Sequence, residues 1–420
     1  MRHTWTPNCP TYFLPVPYSV LSLLSLANVA GKDARCTVAL KLSYWYTDAY
    51  VEFVDNENEW GGLSHGRARD SMRSRRARSL RGRRGNRQPA THSPKKNPLI
   101  MNILVTGGAG FIGSHLVGKL LVEGHQVAII DNLSTGSLEN LQSIRDHADL
   151  TFVHGDIREG DLVQMFVKEC DCIFHLAAAV GVRLIAEDPV HTIETNIGGT
   201  EIVLKKANRF GKKIFLASTS EVYGKSEAVP FREEDDFVLG STAFSRWSYA
   251  CSKAIDEFLG QAYFEQYGLN VVIGRLFNTI GPRQTGRYGM VVPRFVQWAL
   301  RDEPIQIYGT GRQTRCFCYV GDVVEGVMAL MLTKKAAGKV FNIGSTDEIS
   351  IEQLADRVIE VTGSQGGKTH VSYQDAYGRS IEDMMRRVPC TDRISETIGW
   401  EPKTPLEEIL KMVVEYEKGR

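Results

Sequence analysis

Asn102 to Gly113 reads NILVTGGAGFIG, a short run of strand formers that breaks directly into Gly107, Gly110 and Gly113, spaced three apart. At those points a side chain would obstruct, in turn, a tight turn, the approach of a pyrophosphate, and the packing of a helix on its strand. Phe111, Ile112 and the following GSHLVGKLLVEGH place apolar side chains at helical spacing. The loop therefore delivers a helix N-terminus whose N–H groups and dipole favour an anion. Strand, phosphate-binding turn and helix are predicted here, with a dinucleotide as ligand.

Outward from that turn, QVAIIDNLSTG forms an apolar strand ending in Asp131 and Asn132, with Asp131 18 residues past Gly113. An acid at that spacing grips the adenosine ribose hydroxyls and repels a 2′-phosphate, which favours NAD over NADP. LTFVHGDI places Asp156 and Ile157 where an adenine ring would lie, and CIFHLAAAVGV brings Leu176, Ala177 and Ala178 against the cofactor. Strands are predicted near 102–106, 126–131, 150–153, 171–175, 213–218 and 270–275, with amphipathic helices between them. Such alternation reads as an α/β fold, a Rossmann-type doubly wound parallel sheet that binds ligands at the carboxyl ends of its strands. After Arg275 the rhythm changes to longer loops rich in Gly, Pro and Arg. A smaller C-terminal substrate-binding lobe is expected there, assembled from inserted segments at 279–316 and 345–420. The expected division is a leader over 1–100, an NAD-binding domain over 101–278, and a lobe that occupies most of 279–420 while interleaved segments complete the sheet.

The first 100 of the 420 residues differ in composition from the rest: they hold 16 Lys and Arg against 7 Asp and Glu, which leaves residues 101–420 about −8 of the overall +1. A mildly acidic body disfavours nucleic acid as partner. Arg67 to Arg87 contains ten arginines interleaved with Gly and Ser, a composition that cannot bury a core and is expected to stay disordered. Tyr12 to Ala30 is apolar, but Pro15, Pro17 and its serines make it a poor membrane span. Met101 stands where an enzyme of this kind would naturally begin, so the leader is read as lying outside the native protein. The eight cysteines are scattered, and the CxC pairs Cys170/Cys172 and Cys316/Cys318 lie in strand-like segments with no neighbouring His pattern. Buried free thiols, no metal and a cytoplasmic setting are expected.

KKIFLASTSEVYG ends a strand in Thr219, Ser220 and Glu221, and RWSYACSKAIDEFL places Tyr249 and Lys253 four apart. On a helix that spacing puts phenol and ammonium on one face. A free tyrosine, with a pKa near ~10, is a poor base at neutral pH, but an adjacent ammonium and a cationic nicotinamide both favour its phenolate. Tyr249 could then take a hydroxyl proton as the same carbon is oxidised. YxxxK alone describes many plain helix surface pairs; it gains meaning downstream of the glycine turn and the Ser/Thr-ended strand.

With these motifs in view, residues 101–420 resemble the extended short-chain dehydrogenase/reductase family, specifically its NAD-dependent nucleotide-sugar epimerases, dehydratases and decarboxylases. TGGAGFIGSHL, GDI, HLAA, STSEVYG, YxxxK, RLFNTIGPRQ, YGTGRQTRCF, FNIGS and IGWEP carry the likeness. It implies that Thr219 hydrogen-bonds the sugar 4-hydroxyl, Tyr249 is the base, and Lys253 holds the nicotinamide ribose and tunes the tyrosine. It places Asn278, Arg315 and Arg387 on the nucleotide diphosphate, a task suited to planar, permanently charged guanidinium groups. It also implies a homodimer packed through paired helices.

Within that family the reaction turns on residues 219–221. Relatives that only invert carbon 4 usually carry small or hydroxyl residues at the position of Glu221, so Glu221 points to chemistry at carbon 5. The 4,6-dehydratases of thymidine-linked glucose have an Asp where this chain has Ser220. The Thr-Ser-Glu triplet resembles the UDP-glucuronate decarboxylases, although GDP-mannose dehydratases share it. HLAAAVGV and RYGMVVPRF look more like 4-epimerases, and Met290 stands where decarboxylases present an arginine. The leading expectation is decarboxylation of UDP-glucuronate to UDP-xylose through a 4-keto intermediate; 4-epimerisation comes second and 4,6-dehydration third. The reading from a different class is a non-catalytic NAD-binding sensor or scaffold, which would have no need of the Thr/Tyr/Lys set.

Overall fold

Strands buried on both faces read as continuous apolar runs rather than as alternating ones, and VVIGRL or QVAIID has that character. The computed structural model describes residues 100–181, 188–287, 289–377 and 384–420. The expectations for the leader, Tyr12 to Ala30 and Arg67 to Arg87 included, lie outside them. Seven runs pair in parallel: β1 (Asn102–Thr106), β2 (Gln126–Asp131), β3 (Leu150–His154), β4 (Cys172–His175), β5 (Lys213–Thr219), β6 (Val271–Leu276) and β7 (Lys339–Ile343). Their order across the sheet is β7-β6-β5-β4-β1-β2-β3. The first six match the predicted runs to within a residue or so. The seventh, an edge strand, was not predicted, because Lys339 and Asn342 break its apolar pattern and it lies beyond the regular strand–helix alternation.

The principal helices are α1 (Phe111–Val122), α2 (Gly160–Glu169), α3 (Gly199–Arg209), α4 (Arg246–Tyr267), α5 (Val291–Leu300), α6 (Val320–Leu332), α7 (Ile351–Thr362) and α8 (Leu406–Lys418). One face of the sheet is covered by α1 and α6, through Leu116, Val117, Val323 and Val327. The other is covered by α2 and α3 through Val163, Val167, Val203 and Leu204, with Leu259 of α4 packed against them. This is the doubly wound arrangement expected. β1 lies between β2 and β4, so the chain winds away in opposite directions from that point and opens a crevice beyond the carboxyl ends of the strands.

The smaller lobe has its own core, in which Val292 and Phe295 of α5 meet Ile307, Leu354 and Val358 of α7, and Leu410 of α8. Ile305–Tyr308 pairs in parallel with Lys368–Val371, and Thr314–Cys316 pairs antiparallel with Glu348–Ser350. Between these lobe segments α6 and β7 return to the sheet, and so does part of the stretch expected to belong wholly to the lobe: Ile394 and Trp400 pack into the sheet-side core. Trp400 donates its indole N–H to the Asp322 carbonyl at 2.9 Å, and the Asp322 carboxylate accepts the N–H groups of Lys403 and Thr404 at 2.9 Å each. Those bonds hold the 392–404 stretch against α6.

Cys170, Cys172, Cys316 and Cys318 are buried free thiols. Burial pushes the first three up to about 12 and Cys318 higher still, so none ionises near neutrality. Among the described residues no group of His, Cys, Asp and Glu could hold a metal ion, and no helix is long and apolar enough to cross a membrane.

Candidate active site

A cleft of about 500 Å³ runs along the carboxyl edge of the sheet and into the lobe. Gly107, Gly110, Phe111, Ile112, Gly113, Asp131, Asn132, Ile157, Leu176, Ala177 and Ala178 line its first half. The glycines are there because backbone occupies the space. Gly107 has φ +74° and a Cβ on it would stand 2.7 Å from the Ala177 nitrogen, while a Cβ on Gly113 would stand 2.1 Å from the Gly107 carbonyl oxygen. Asp131 is buried, its carboxylate accepting the N–H of Ala109 at 2.9 Å and that of Leu133 at 2.8 Å. Those bonds fix the acid at the end of β2 and draw the loop after β1 towards it. Asp156 does not line the cleft: its carboxylate is taken by Arg158 at 2.8 Å and by the Asn132 side chain at 3.1 Å, and the Arg158 hydrogen bond holds it down at about 2.

Three buried polar atoms on the cleft wall, Thr195 Oγ1, Asn278 Oδ1 and Gln284 Oε1, have no hydrogen-bond partner among the described residues. Buried polar atoms are seldom left so, and their clustering along one groove marks a surface completed by a polar ligand. The glycine cradle, the fixed acid and these orphaned atoms fit a dinucleotide followed by a second polar molecule.

Thr219, Ser220, Glu221 and Tyr249 meet at the middle of the cleft. β5 ends at Thr219, whose hydroxyl caps the short 3-10 turn Ser220–Tyr223 by accepting the Glu221 N–H at 3.2 Å. The same hydroxyl bonds the phenol of Tyr249, which α4 brings across from the other side. A buried network fixes these two elements to each other. Arg275 of β6 pairs with Glu257 of α4 at 2.8 Å and donates to the Tyr223 hydroxyl at 2.8 Å; the Ser218 hydroxyl also bonds Glu257. Asn196 bonds the backbone of Ala179 and, at 3.2 Å, the Ser252 hydroxyl, which ties the loop after β4 to α4 beside Lys253. A reacting centre held within fractions of an ångström needs such support.

Besides Asp156, two details differ from the sequence reading. Lys253 does not line the cleft; its ammonium donates to Asp256 at 2.8 Å, and both groups are almost fully buried. Tyr249 is pushed up rather than down, first by burial and then by the neighbouring Glu221 carboxylate, against the Thr219 hydrogen bond. In this structure the phenol is neutral. The Lys253 ammonium is turned to Asp256, its i, i+3 partner on the same helix.

Asn278, Arg315 and Arg387 all line the cleft. Arg315 donates to the carbonyls of Thr314 at 2.7 Å and Met384 at 2.9 Å, and Arg387 pairs with Glu221 at 2.8 Å. Arg246 approaches the other oxygen of Glu221 at 3.5 Å. Burial alone would raise the Glu221 pKa, but these guanidinium groups hold it at about 2, so its carboxyl is ionised. Sequence reasoning did not single out Arg246 or Asp256, yet each stands three residues from a residue that it did choose: RWSY and KAID are one-turn spacings on α4.

A family model described as GDP-mannose 4,6 dehydratase matches residues 104–413. The UDP-N-acetyl-alpha-D-glucosaminuronate decarboxylase of Bacillus cytotoxicus is 40% identical over 314 residues, 74% of this chain and 96% of that protein. UDP-glucuronic acid decarboxylase 6 of Arabidopsis thaliana is 38% identical over 342 residues, 80% of this chain and 96% of that one. Among solved structures, the UDP-glucose 4-epimerase of Thermus thermophilus in complex with NAD superposes with a TM-score of 0.66 at 29% identity, covering 76% of this chain and 99% of that one.

Proposed function

Because the chain belongs to the GDP-mannose 4,6-dehydratase family, within the extended short-chain dehydrogenases/reductases, we propose that it decarboxylates a UDP-hexuronate, UDP-glucuronate to UDP-xylose, with NAD regenerated in every cycle. The observation that carries this reading is the ionised Glu221 beside the Thr219/Tyr249 pair, ringed by Arg246, Arg315 and Arg387. A cluster so rich in guanidinium suits a substrate bearing a carboxylate as well as a diphosphate. The two decarboxylase relatives support the same reading. NAD would lie along Gly107, Gly110, Gly113 and Asp131, and when bound it supplies the acceptor and later donor of hydride at carbon 4.

The chain's own residues carry the proton transfers. Thr219 Oγ1 and Tyr249 Oη would hold the 4-hydroxyl, and Tyr249, once its own proton has been released to solvent, takes the 4-hydroxyl proton as the hydride leaves carbon 4 and a ketone forms. That ketone stands β to the carboxylate, so the bond between carbons 5 and 6 breaks with its electron pair passing into the ketone, and CO2 departs. Carbon 5 then needs a proton. That proton comes from solvent, and Glu221, which lines the cleft beside Tyr249, would relay it once substrate anions draw its arginine partners away and its carboxyl can protonate. Re-reduction of carbon 4 returns the Tyr249 proton to the sugar oxygen.

A second reading, 4-epimerisation, is favoured by Met290, which lines the cleft where an arginine is expected of a decarboxylase, and by the epimerase superposition. The product formed from UDP-glucuronate separates the two readings. A homodimer belongs to the proposal, supported by the exposed row Cys251, Ile255 and Phe258 on one face of α4. A cytoplasmic setting is supported by the free buried thiols.

A further inference from the structure

Tyr249 must lose its phenol proton before it can take one from a substrate, and the charges along its own helix bear on how readily it does so. That step is shared by decarboxylation and 4-epimerisation, and a role in it rests on Tyr249 being the base of the proposed function, whichever product forms. Tyr249, Lys253 and Asp256 fall at i, i+4 and i+7 on α4 and so form one stripe of the helix. Among the described residues, the phenol has the Glu221 carboxylate beside it on the Ser220–Tyr223 turn, with Arg387 at 2.8 Å and Arg246 at 3.5 Å from that carboxylate. Further along the stripe lies the Lys253/Asp256 pair, 2.8 Å apart, with side chains 3% and 2% exposed. Asp256 Oδ2 accepts the ammonium, and Oδ1 has no hydrogen-bond partner among the described residues. Burial alone would neutralise such a carboxylate; the ammonium beside it favours its charge. Glu257, next on the helix, is matched by Arg275 of β6 at 2.8 Å, and His175 of β4 is neutral between Thr106 and Thr200.

We propose that Asp256 is a positioning residue for the oxidation of carbon 4: it anchors the Lys253 ammonium in the stripe and offsets, at the Tyr249 phenol, the positive charge that Lys253 supplies. The Asp256 carboxylate opposes ionisation of the phenol, as the Glu221 carboxylate does. Lys253 and a cationic nicotinamide favour it. A base poised between these charges serves both halves of a closed cycle, since the phenol must be deprotonated to start the oxidation and protonated to return a proton when carbon 4 is re-reduced. Without the Asp256 charge the phenol would ionise at lower pH, and the phenolate formed would be a weaker proton acceptor.

The test is the pH profile of kcat for NAD-loaded protein turning over UDP-glucuronate, with UDP-xylose and UDP-galacturonate summed so that the profile does not depend on which product forms. Asp256→Asn keeps the shape of the side chain and removes its charge. Its acid limb should lie about one pH unit below that of the wild type, about a tenfold gain at a fixed pH on the limb relative to the plateau. KM should change by less than about twofold, because Asp256 does not line the cleft. Asp256→Glu, which keeps the charge, should restore the wild-type limb. Where Asp256→Asn does not accumulate as folded protein, Asp256→Ser, small enough to admit a water beside the ammonium, is expected to show the same shift. A lower kcat at every pH with the limb unmoved would mean a structural role, and a limb displaced to higher pH would mean that the uncompensated ammonium had lost its proton; either result overturns the assignment while the proposed function stands. Absence of both products from the wild type would bring down the proposed function and this role with it.

Discussion

At the scale of single residues, the account rests on Tyr249 and Glu221 having different tasks. The Tyr249 phenol, bonded to Thr219, is the group placed to take the 4-hydroxyl proton, so Tyr249→Phe should lower kcat by about 10²- to 10⁴-fold with little change in substrate affinity. An unchanged kcat would remove Tyr249 from the chemistry. Glu221→Gln should still oxidise carbon 4, seen as reduced-cofactor fluorescence, but stall with a 4-keto sugar; a pure 4-epimerase would complete its cycle in that variant. Residues whose role follows from local chain chemistry were legible from sequence. Gly107 and Gly113 declare themselves because only glycine fits the turn, and Asp131 because it ends the second strand at a fixed spacing. Pairings across the fold were not. That Lys253 would face Asp256, and that Arg387 would reach back to Glu221, depends on where α4 and the 384–390 stretch come to rest.

At the scale of elements, β4 and α4 each carry a testable consequence. β4 ends in His175, wholly buried between the hydroxyls of Thr106 at 2.7 Å and Thr200 at 3.1 Å. Burial lowers its pKa to about 3, so it is neutral in the folded protein, whereas the unfolded chain takes up that proton near the ordinary histidine value of about 6.5. The unfolded state then binds more protons between those limits. Stability should fall as pH drops from about 6.5 towards 3, by up to about 1.4 kcal/mol per pH unit from this group. Asp131 and Asp256, raised by burial, oppose that trend. A comparison with His175→Gln by denaturant titration cancels their effect: the variant should show an acid limb shallower by up to one proton, and an identical slope would contradict the assignment. On α4, Phe258 is 69% exposed and Ile255 41%. Phe258→Glu should turn a dimer into monomers in sedimentation velocity without loss of helicity, and a wild type already monomeric would refute the paired-helix dimer. The first six strands in the chain were legible because each falls in a regular strand–helix alternation. β7 and the short lobe pairings were not, since a run such as KVFNI acquires its meaning only from the neighbour it pairs with.

At the scale of the whole molecule, a doubly wound sheet sets a dinucleotide cradle at its switch point, and a lobe of interleaved segments turns Asn278, Arg315 and Arg387 onto the same cleft. The sheet was predictable as a class because helix and strand alternate along the chain. The lobe's return to the sheet through Ile394 and Trp400 was not, because it rests on contacts between residues far apart in sequence. The central claim is that this assembly removes the carboxyl group of a UDP-hexuronate. The most direct measurement is to incubate the NAD-loaded protein with UDP-glucuronate labelled at the carboxyl carbon, trapping gas and analysing the nucleotide sugar by mass spectrometry. The account predicts labelled CO2 and UDP-xylose in equal amounts with no net change in NAD; full retention of the label, with UDP-galacturonate as product, would contradict it and establish 4-epimerisation instead.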